Sequence, residues 1–519
     1  MQRVIILIIS FLFVTDVFGA KILTIVPTPS ISHQVVFRPL IQELARRGHQ
    51  VTVITPDPAF TKENRPANLT EIDVHDVSYG IWQEAMKKQD IELGKRTGLF
   101  KMMEEMTIFF TYILEMQLRA EEVQAILSNK HEKYDLLLIE ACGKPFIMFS
   151  HLIKAPVIQI SSFGMMIGSE EIVGAPSHPI LYPMAMRQRI YNLTFWEKLY
   201  ELYTHFWVMS QWLYGETKEY EILKKYFGDD VPSYRELHKN VDMMFLNIHP
   251  MWSNNQPLPP NVISIWGIHK NPEKPLPKDL QTYLDSSKNG VIYLSFGSNA
   301  KSIMLPKEVI TLLINVFSKL PYDILWKWES EELPGKSENI KVSTWLPQSD
   351  LLRHPKIKTF ITQGGLQSTD EAMNAGVPLI GIPMLGDQWY NVELYEQHKI
   401  GVKLDLETLT EEQLTKAIET VITDKSYKEN IVKLKNLMSD QPQTALERAV
   451  WWTEYVIRNG GAKHLRAAGA NLSWTEYYEI EFITKLISLI SSLILIAFAT
   501  LYIIYRRIVK TFTTKVKIS

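Results

Sequence analysis

The sequence predicts an α/β protein of two doubly wound parallel-sheet domains followed by one membrane-spanning helix. Three observations carry this expectation. Residues 21–56 (KILTIVPTPSISHQVVFRPLIQELARRGHQVTVITP) read as strand, loop, helix, turn and strand. Residues 357–383 (IKTFITQGGLQSTDEAMNAGVPLIGIP) repeat that plan with a Gly-Gly turn before the helix and Gly376 and Pro378 as its stop. Leu486–Tyr505 is a run of about 20 apolar residues without a charge, enough to cross a bilayer.

Composition narrows the class. The chain has 519 residues, room for two or three domains, and its 46% hydrophobic content is enough for large cores. A net charge of −2 leaves no basic footprint, so no nucleic-acid partner is expected. Cys142 is the only cysteine; an intrachain disulfide is excluded, stability rests on packing, and the thiol is expected to be buried.

Residues 1–19 read as a signal peptide, with Arg3, an apolar run from Val4 to Val14, and Val17 and Gly19 as small residues before a cut. The first domain, residues 20–255, opens on the strand Lys21–Pro27. In the helix after it, Val35, Leu40 and Leu44 form the apolar face, Gly48 ends it, and Val51–Ile54 is the next strand. His33 falls at the loop-to-helix junction, on the carboxyl edge of the sheet. Tyr134–Glu140 (YDLLLIE) is another apolar strand that ends in a carboxylate on that edge, while Asp135 begins it on the opposite one. Leu99–Leu127 places Met102, Met106, Phe109, Ile113 and Met116 three and four apart, which predicts one amphipathic helix. Phe195–Tyr214 is a second, aromatic-rich helix, for which core packing, an acceptor surface and contact with a membrane surface are all open. An acceptor pocket drawing on both helices is expected.

Seven prolines between Pro250 and Pro277 predict a linker, assigned to residues 256–280. The second domain, 281–440, begins with Val291–Ser295 running into Phe296-Gly297-Ser298-Asn299, where N–H and hydroxyl donors suit a phosphate. Residues 441–485 hold a helix, Gln443–Val456, and a stalk; 486–505 span the membrane; 506–519 form a tail with five basic residues and no acid. That asymmetry puts the tail in the cytosol and the body in the lumen. Lys515 and Lys517 give the tail a K-x-K-x-x retrieval pattern, so a single-pass type I protein of the endoplasmic reticulum membrane is expected, in contact with membrane lipid. The sequons at Asn68, Asn192 and Asn471 all fall on the luminal side, where glycosylation requires them.

The chemistry concentrates in Trp345–Gln388. A helix N-terminus at the carboxyl edge of a parallel sheet favours a phosphate. Gly365 lets the backbone approach closely, and Gln367, Ser368 and Thr369 add donors in the first turn. Glu371 lies one turn in, where a carboxylate accepts from a ribose diol. Asp387 and Gln388 suit sugar hydroxyls, and Trp345 offers a flat face to a base. One stretch therefore supplies groups for base, ribose, diphosphate and sugar, in that order.

The patterns W-x-P-Q, T-x-G-G, S-T-x-E-A, G-V-P-L and G-D-Q within these residues resemble the signature of the UDP-glycosyltransferase family, membrane-bound sugar transferases of animals with soluble plant relatives. The resemblance implies a GT-B architecture, two Rossmann-like domains facing a cleft, and inverting transfer of a sugar from a UDP-sugar to a hydroxyl of a small lipophilic acceptor, in detoxification or inactivation. It implies His33 as catalytic base with Glu140 as its acidic partner, where the family usually has Asp. It assigns Ser298, Trp345, Gln348, Gln363, Gly365, Gln367, Ser368, Glu371, Asp387 and Gln388 to the donor, and packs the Gln443–Val456 helix back on the first domain. The family usually has His at the position of Gln363; insect-type members have Gln, which donates an amide N–H but carries no charge. The insect-type likeness points to glucose, with glucuronic acid left open. No D-x-D pair is present, no metal or cofactor is expected, and a homo- or hetero-oligomer is compatible with the family. Two other readings compete. A non-catalytic UDP-sugar-binding or chaperone module is favoured only by Gln363, and an NAD enzyme lacks its G-x-G-x-x-G turn.

Overall fold

The computed structural model describes residues 19–516 except 89–92, 96–98, 130, 215–217 and 271. The first sheet has seven strands in the order β3-β2-β1-β4-β5-β6-β7: β1 Lys21–Ile25, β2 Gln50–Thr55, β3 Leu69–Asp73, β4 Leu136–Glu140, β5 Val157–Ser161, β6 Val241–Leu246 and β7 Val262–Ser264. The second has six in the order β10-β9-β8-β11-β12-β13: β8 Val291–Ser295, β9 Asp323–Lys327, β10 Ile340–Ser343, β11 Ile357–Thr362, β12 Leu379–Gly381 and β13 Gly401–Lys403. Every pairing is parallel. Strands β4, β5, β6 and β8 are buried along their whole length, which is why they read as unbroken apolar runs.

Parallel strands bring their carboxyl ends to one edge, and the crossover helices begin there. Helix α1 (Ile31–Arg46) follows β1. Along the chain come α2 (Leu99–Gln117), α3 (Glu121–Ser128) and α4 (Phe195–Tyr214), then α5 (Leu366–Ala375) after β11 and α6 (Gln388–Gln397) after β12. Helix α7 (Ala445–Asn459) starts in a capping box of Thr444 and Glu447. Its Ala449, Val450 and Val456 are buried in one core with Val36, Leu40 and Leu44 of α1, so the last helix of the body closes the core of the first domain.

Three expectations need correction. The helix expected over Leu99–Leu127 is two, because Gln117 is drawn into the body: its amide donates to the Pro27 carbonyl and the Ser78 hydroxyl, both at 2.8 Å, and Ala120 turns extended before α3. The expected linker contains β7, which joins the first sheet beside β6. The strand expected over Leu379–Pro383 stops at Gly381, apart from one further bond from the Ile382 N–H to the Thr362 carbonyl; Pro383 has no N–H to continue the ladder.

Helix α8 (Ile480–Val516) leaves the body. Within it Ile480–Thr511 contains an 18-residue stretch of mean hydropathy 2.5, none of it buried, so the helix is long and apolar enough to cross a membrane. The leader expected at 1–19 lies, but for Gly19, outside the described residues, as does Lys517. Asn68 and Asn192 are exposed and Asn471 is half-buried.

Candidate active site

His33 is the third residue of α1, at the carboxyl edge of β1, and Glu140 ends β4, the neighbouring strand. Adjacent strands with ends in register bring the two side chains together: His33 Nδ1 lies 2.5 Å from Glu140 Oε1. Both are buried, Glu140 completely. The other carboxylate oxygen accepts from the Thr28 hydroxyl at 2.7 Å and the Thr28 N–H at 3.2 Å. Three donors satisfy the buried carboxylate and fix the imidazole, with Nδ1 engaged and Nε2 free to point outward. The edge of the Phe163 ring holds the imidazole from the side, at 5.1 Å between centroids. Asp135 is tied to the Lys21 N–H on the far edge.

His33 borders a cleft whose apolar wall is Trp82, Met102, Met106, Phe109, Phe110 and Met186. The same cleft holds Asp387 and Gln388 of the second domain. It draws on α2 and, among the described residues, on none of α4, which corrects the expectation that both helices would line it.

On the donor side, two turns leave the second sheet next to each other. Gly297, after β8, has φ +83°, and a Cβ there would sit 2.3 Å from Gln363 Nε2. Gly364, after β11, has φ +90°, and a Cβ there would strike Val392 at 2.5 Å. Only glycine fits either place. Gln363 is buried between the turns; its Oε1 accepts from the Thr362 hydroxyl at 3.0 Å, which aims the amide nitrogen at the β8 turn. Ser298 is half-buried in that turn. Gly365 is the extended N-cap of α5.

The remaining donor-side residues divide into free and engaged groups. Trp345 is 68% exposed, with Lys327 Nζ 5.4 Å from its ring centre. Lys327 also donates to the Gly297 carbonyl at 2.6 Å, placing a cation between the ring and the β8 turn. Gln348 is used up within the protein: it accepts from the Tyr293 hydroxyl at 2.9 Å and donates to Ser368 Oγ at 3.0 Å and to Glu371 at 2.7 Å. It therefore stands behind Glu371, whose carboxyl burial pushes up to about 6 against that bond. Gln367 donates across the cleft to the Ser162 carbonyl at 3.3 Å, and Asn299 does likewise to the Ser30 hydroxyl at 3.1 Å. Thr369, expected as a donor, is buried and turned back to the Gly365 carbonyl and the Tyr395 hydroxyl.

Asp387 and Gln388 begin α6. The Gln388 amide oxygen accepts the Met384 and Leu385 N–H groups at 2.9 and 2.8 Å, leaving its NH2 as donor. Burial pushes the Asp387 carboxyl up to about 6, opposed first by a hydrogen bond from Asn391. Asn391 is a hub that the sequence did not single out. Its amide nitrogen donates to Asp387 at 2.8 Å and to the Gly364 carbonyl at 2.9 Å, and its oxygen accepts the Trp252 indole N–H at 3.0 Å.

Among the described residues, ligand atoms of His33, Glu140 and Cys142 lie within 4.8 Å of one another, an imidazole, a carboxylate and a thiol. The Cys142 thiol is pushed well up by burial and the charges of Glu140 and Asp387, and Glu140 is already taken by His33 and Thr28.

The family model described as UDP-glucoronosyl and UDP-glucosyl transferase matches residues 20–515. The chain belongs to this family. It is 34% identical to the ecdysteroid UDP-glucosyltransferase of Spodoptera littoralis nuclear polyhedrosis virus over 95% of this chain and 98% of that one. It is 32% identical to UDP-glucosyltransferase 2 of Dactylopius coccus, covering 90% of each, and 30% identical to UDP-glucuronosyltransferase 2B14 of Oryctolagus cuniculus, covering 91% of each. Among solved structures, a UDP-glucose:anthocyanidin 3-O-glucosyltransferase in complex with UDP superposes with a TM-score of 0.59 at 15% identity, over 85% of this chain and all of that one. The two sheets facing a cleft are thus the GT-B fold, and the chain is a UDP-glycosyltransferase.

Proposed function

We propose that this UDP-glycosyltransferase transfers glucose, with inversion, to a hydroxyl of a small lipophilic acceptor. The observation that carries the reading is that one cleft holds His33, Asp387 and Gln388 under a wall of methionine and aromatic side chains. The acceptor hydroxyl approaches His33 Nε2, which takes its proton while the oxygen attacks the anomeric carbon and UDP leaves on the opposite face. Glu140 holds the tautomer and stabilises the imidazolium as it forms. The leaving diphosphate is met by the N-terminus of α5 at Gly365–Ser368, by Ser298 and by the Gln363 amide. These donors, with Lys327 close by, perform the charge stabilisation without a metal or other cofactor.

Trp345 stacks on uracil, Glu371 accepts from the ribose, and Asp387 and Gln388 read the sugar. Base–aromatic stacking is worth roughly 1–3 kcal/mol, so Trp345→Ala weakens UDP by about tenfold or more. Gln388→Ala leaves UDP affinity nearly intact and weakens UDP-glucose. Calorimetric titration with both ligands checks the split, and equal losses in the two variants would contradict it.

Asp387 gives a pH signature. Its carboxyl is held at about 6, so the carboxylate that accepts sugar hydroxyls is present above that pH and lost below it. kcat/KM for UDP-glucose therefore falls as pH drops through about 6, and Asp387→Asn, slower overall, loses this limb.

The setting is the endoplasmic reticulum membrane, with α8 spanning it, the body in the lumen, and Asn68, Asn192 and Asn471 available for glycans. Detoxification or hormone inactivation is the role that suits a lipophilic acceptor. The relatives named for ecdysteroid and UDP-glucose transfer support the donor choice. The test is a microsomal assay of UDP-glucose, UDP-glucuronic acid and other UDP-sugars against phenols, flavonoids and steroids. Preferred turnover of UDP-glucose supports the reading, and a preference for UDP-glucuronic acid overturns the donor assignment.

A further inference from the structure

Helix α4 presents a face that none of the described residues covers. Phe195, Trp196, Leu199, Tyr200, Tyr203 and Phe206 recur at helical spacing and are 48–73% exposed. Its other side is packed: Thr204, His205 and Val208 are buried, and Phe100 of α2 meets Trp207 edge-on at 4.4 Å. At about 200 Å² per aromatic side chain, the open face amounts to about 600 Å², at the top of what a soluble monomer leaves bare.

Position identifies what covers it. The Phe206 ring meets Trp474 at 6.3 Å, and Trp474 opens the short helix Trp474–Tyr477, which ends just before the span begins at Ile480. That stalk is fastened to the body: Arg235 donates to Glu476 at 2.7 Å and to the Asn471 carbonyl at 3.2 Å, and the Asn471 N–H donates to the Glu171 carbonyl at 2.7 Å. Trp474, Tyr477 and Tyr478 are each more than half exposed, so the aromatic face of α4 runs on into an aromatic collar at the root of the span. Tryptophan and tyrosine gather at the headgroup layer, where ring and polar tip are both accommodated. The acids on α4 do not oppose this. Glu197 is paired with Arg189 at 2.7 Å and Glu201 with Arg187 at 2.6 Å, while Lys198 is exposed.

We infer that α4 lies in the headgroup layer of the leaflet from which α8 enters the bilayer, as a second membrane contact of the body. Helix α4 packs on α2, whose Met102, Met106 and Phe109 wall the acceptor cleft. An apolar acceptor dissolved in that leaflet reaches His33 past this pair of helices. This delivery rests on the lipophilic-acceptor reading above; the membrane contact does not.

Cys142 is the only cysteine and is buried, so a cysteine introduced at the surface is labelled alone. The full chain is reconstituted in nanodiscs of phosphatidylcholine and phosphatidylserine, with an environment-sensitive fluorophore on Tyr203→Cys or, as the aqueous reference, on Glu412→Cys of a donor-domain helix. Emission from position 203 is expected to be blue-shifted and quenched by brominated lipids, and emission from 412 to be neither. A water-like, unquenched signal at 203 overturns the inference, as does a blue-shifted signal that lipid does not quench, which would mean that a second copy or another protein covers the face. Delivery has its own readout. The double variant Trp196→Glu, Tyr203→Glu is expected to raise KM several-fold for an acceptor that partitions into lipid, with KM for a water-soluble acceptor and for UDP-glucose unchanged. An unchanged KM for the partitioning acceptor overturns delivery. Failure of every acceptor to be glycosylated would count against the proposed function and leave the quenching result standing.

Discussion

His33→Ala is expected to cut turnover by about 10²–10⁴-fold, the usual contribution of a positioned general base, with UDP-sugar affinity unchanged. The N-terminal dipole of α1 disfavours an imidazolium at its first turn. Glu140, held in place by the two Thr28 donors, offsets this by stabilising the charge that develops on the imidazole as the proton is taken. Glu140→Gln keeps a hydrogen-bonding group in place and removes its charge, so its loss is smaller than that of His33→Ala. The effect in both variants is largest for aliphatic alcohols and smallest for acidic phenols, whose hydroxyl ionises with little help. Initial rates across acceptors of graded acidity check this, and near-normal turnover of an aliphatic alcohol by His33→Ala would remove the base assignment.

Asn391→Leu is expected to damage both stability and donor use. Leucine has a similar shape, so packing is nearly kept, while the Asp387 carboxylate, the Gly364 carbonyl and the Trp252 indole each lose their buried partner. Each unpaired group costs about 1–3 kcal/mol, so for three groups a loss of about 3–9 kcal/mol is expected, read from thermal or urea unfolding of the purified chain. Losing its amide donor also moves the Asp387 carboxyl further up, so the acid limb of kcat/KM for UDP-glucose shifts to higher pH. Trp252→Phe leaves Asn391 bonded to Asp387 and Gly364; it unpairs only the Asn391 oxygen and puts a smaller ring in a fully buried site, so it should cost about 2–4 kcal/mol and leave the acid limb in place. An acid limb that stays in place in Asn391→Leu would separate Asn391 from the sugar end.

The parts of this enzyme that were legible in the sequence are those whose causes are local. Buried parallel strands must be apolar on both faces, so β1, β4, β8 and β11 were visible as runs, and the Gly364-Gly365 turn and the Gly376 stop marked α5. The residues placed His33 and Glu140 on the same carboxyl edge, and the family resemblance paired them. What was not legible depends on distant partners. Asn391 meets a tryptophan 139 positions away, and nothing in its neighbours signals that. Lys327 ends an ordinary strand, and only the fold turns it between Gly297 and Trp345. Apolar periodicity ran through the break between α2 and α3 because the break comes from tertiary bonds of Gln117. The aromatic run of α4 allowed three readings; exposure, a property of the folded surface, removes core packing for one face, and its absence from the cleft among the described residues removes the acceptor wall.

The measurement that tests the account most directly is the anomeric configuration of the product. The purified chain is incubated with UDP-glucose, whose glucose is α-linked, and a panel of phenolic and steroid acceptors, and the product is read by proton NMR alongside released UDP. A β-glucoside formed one-for-one with UDP, and lost in His33→Ala, is the predicted result. An α-linked product, or UDP-glucose hydrolysed while the acceptor stays intact, would contradict direct displacement by a hydroxyl activated at His33.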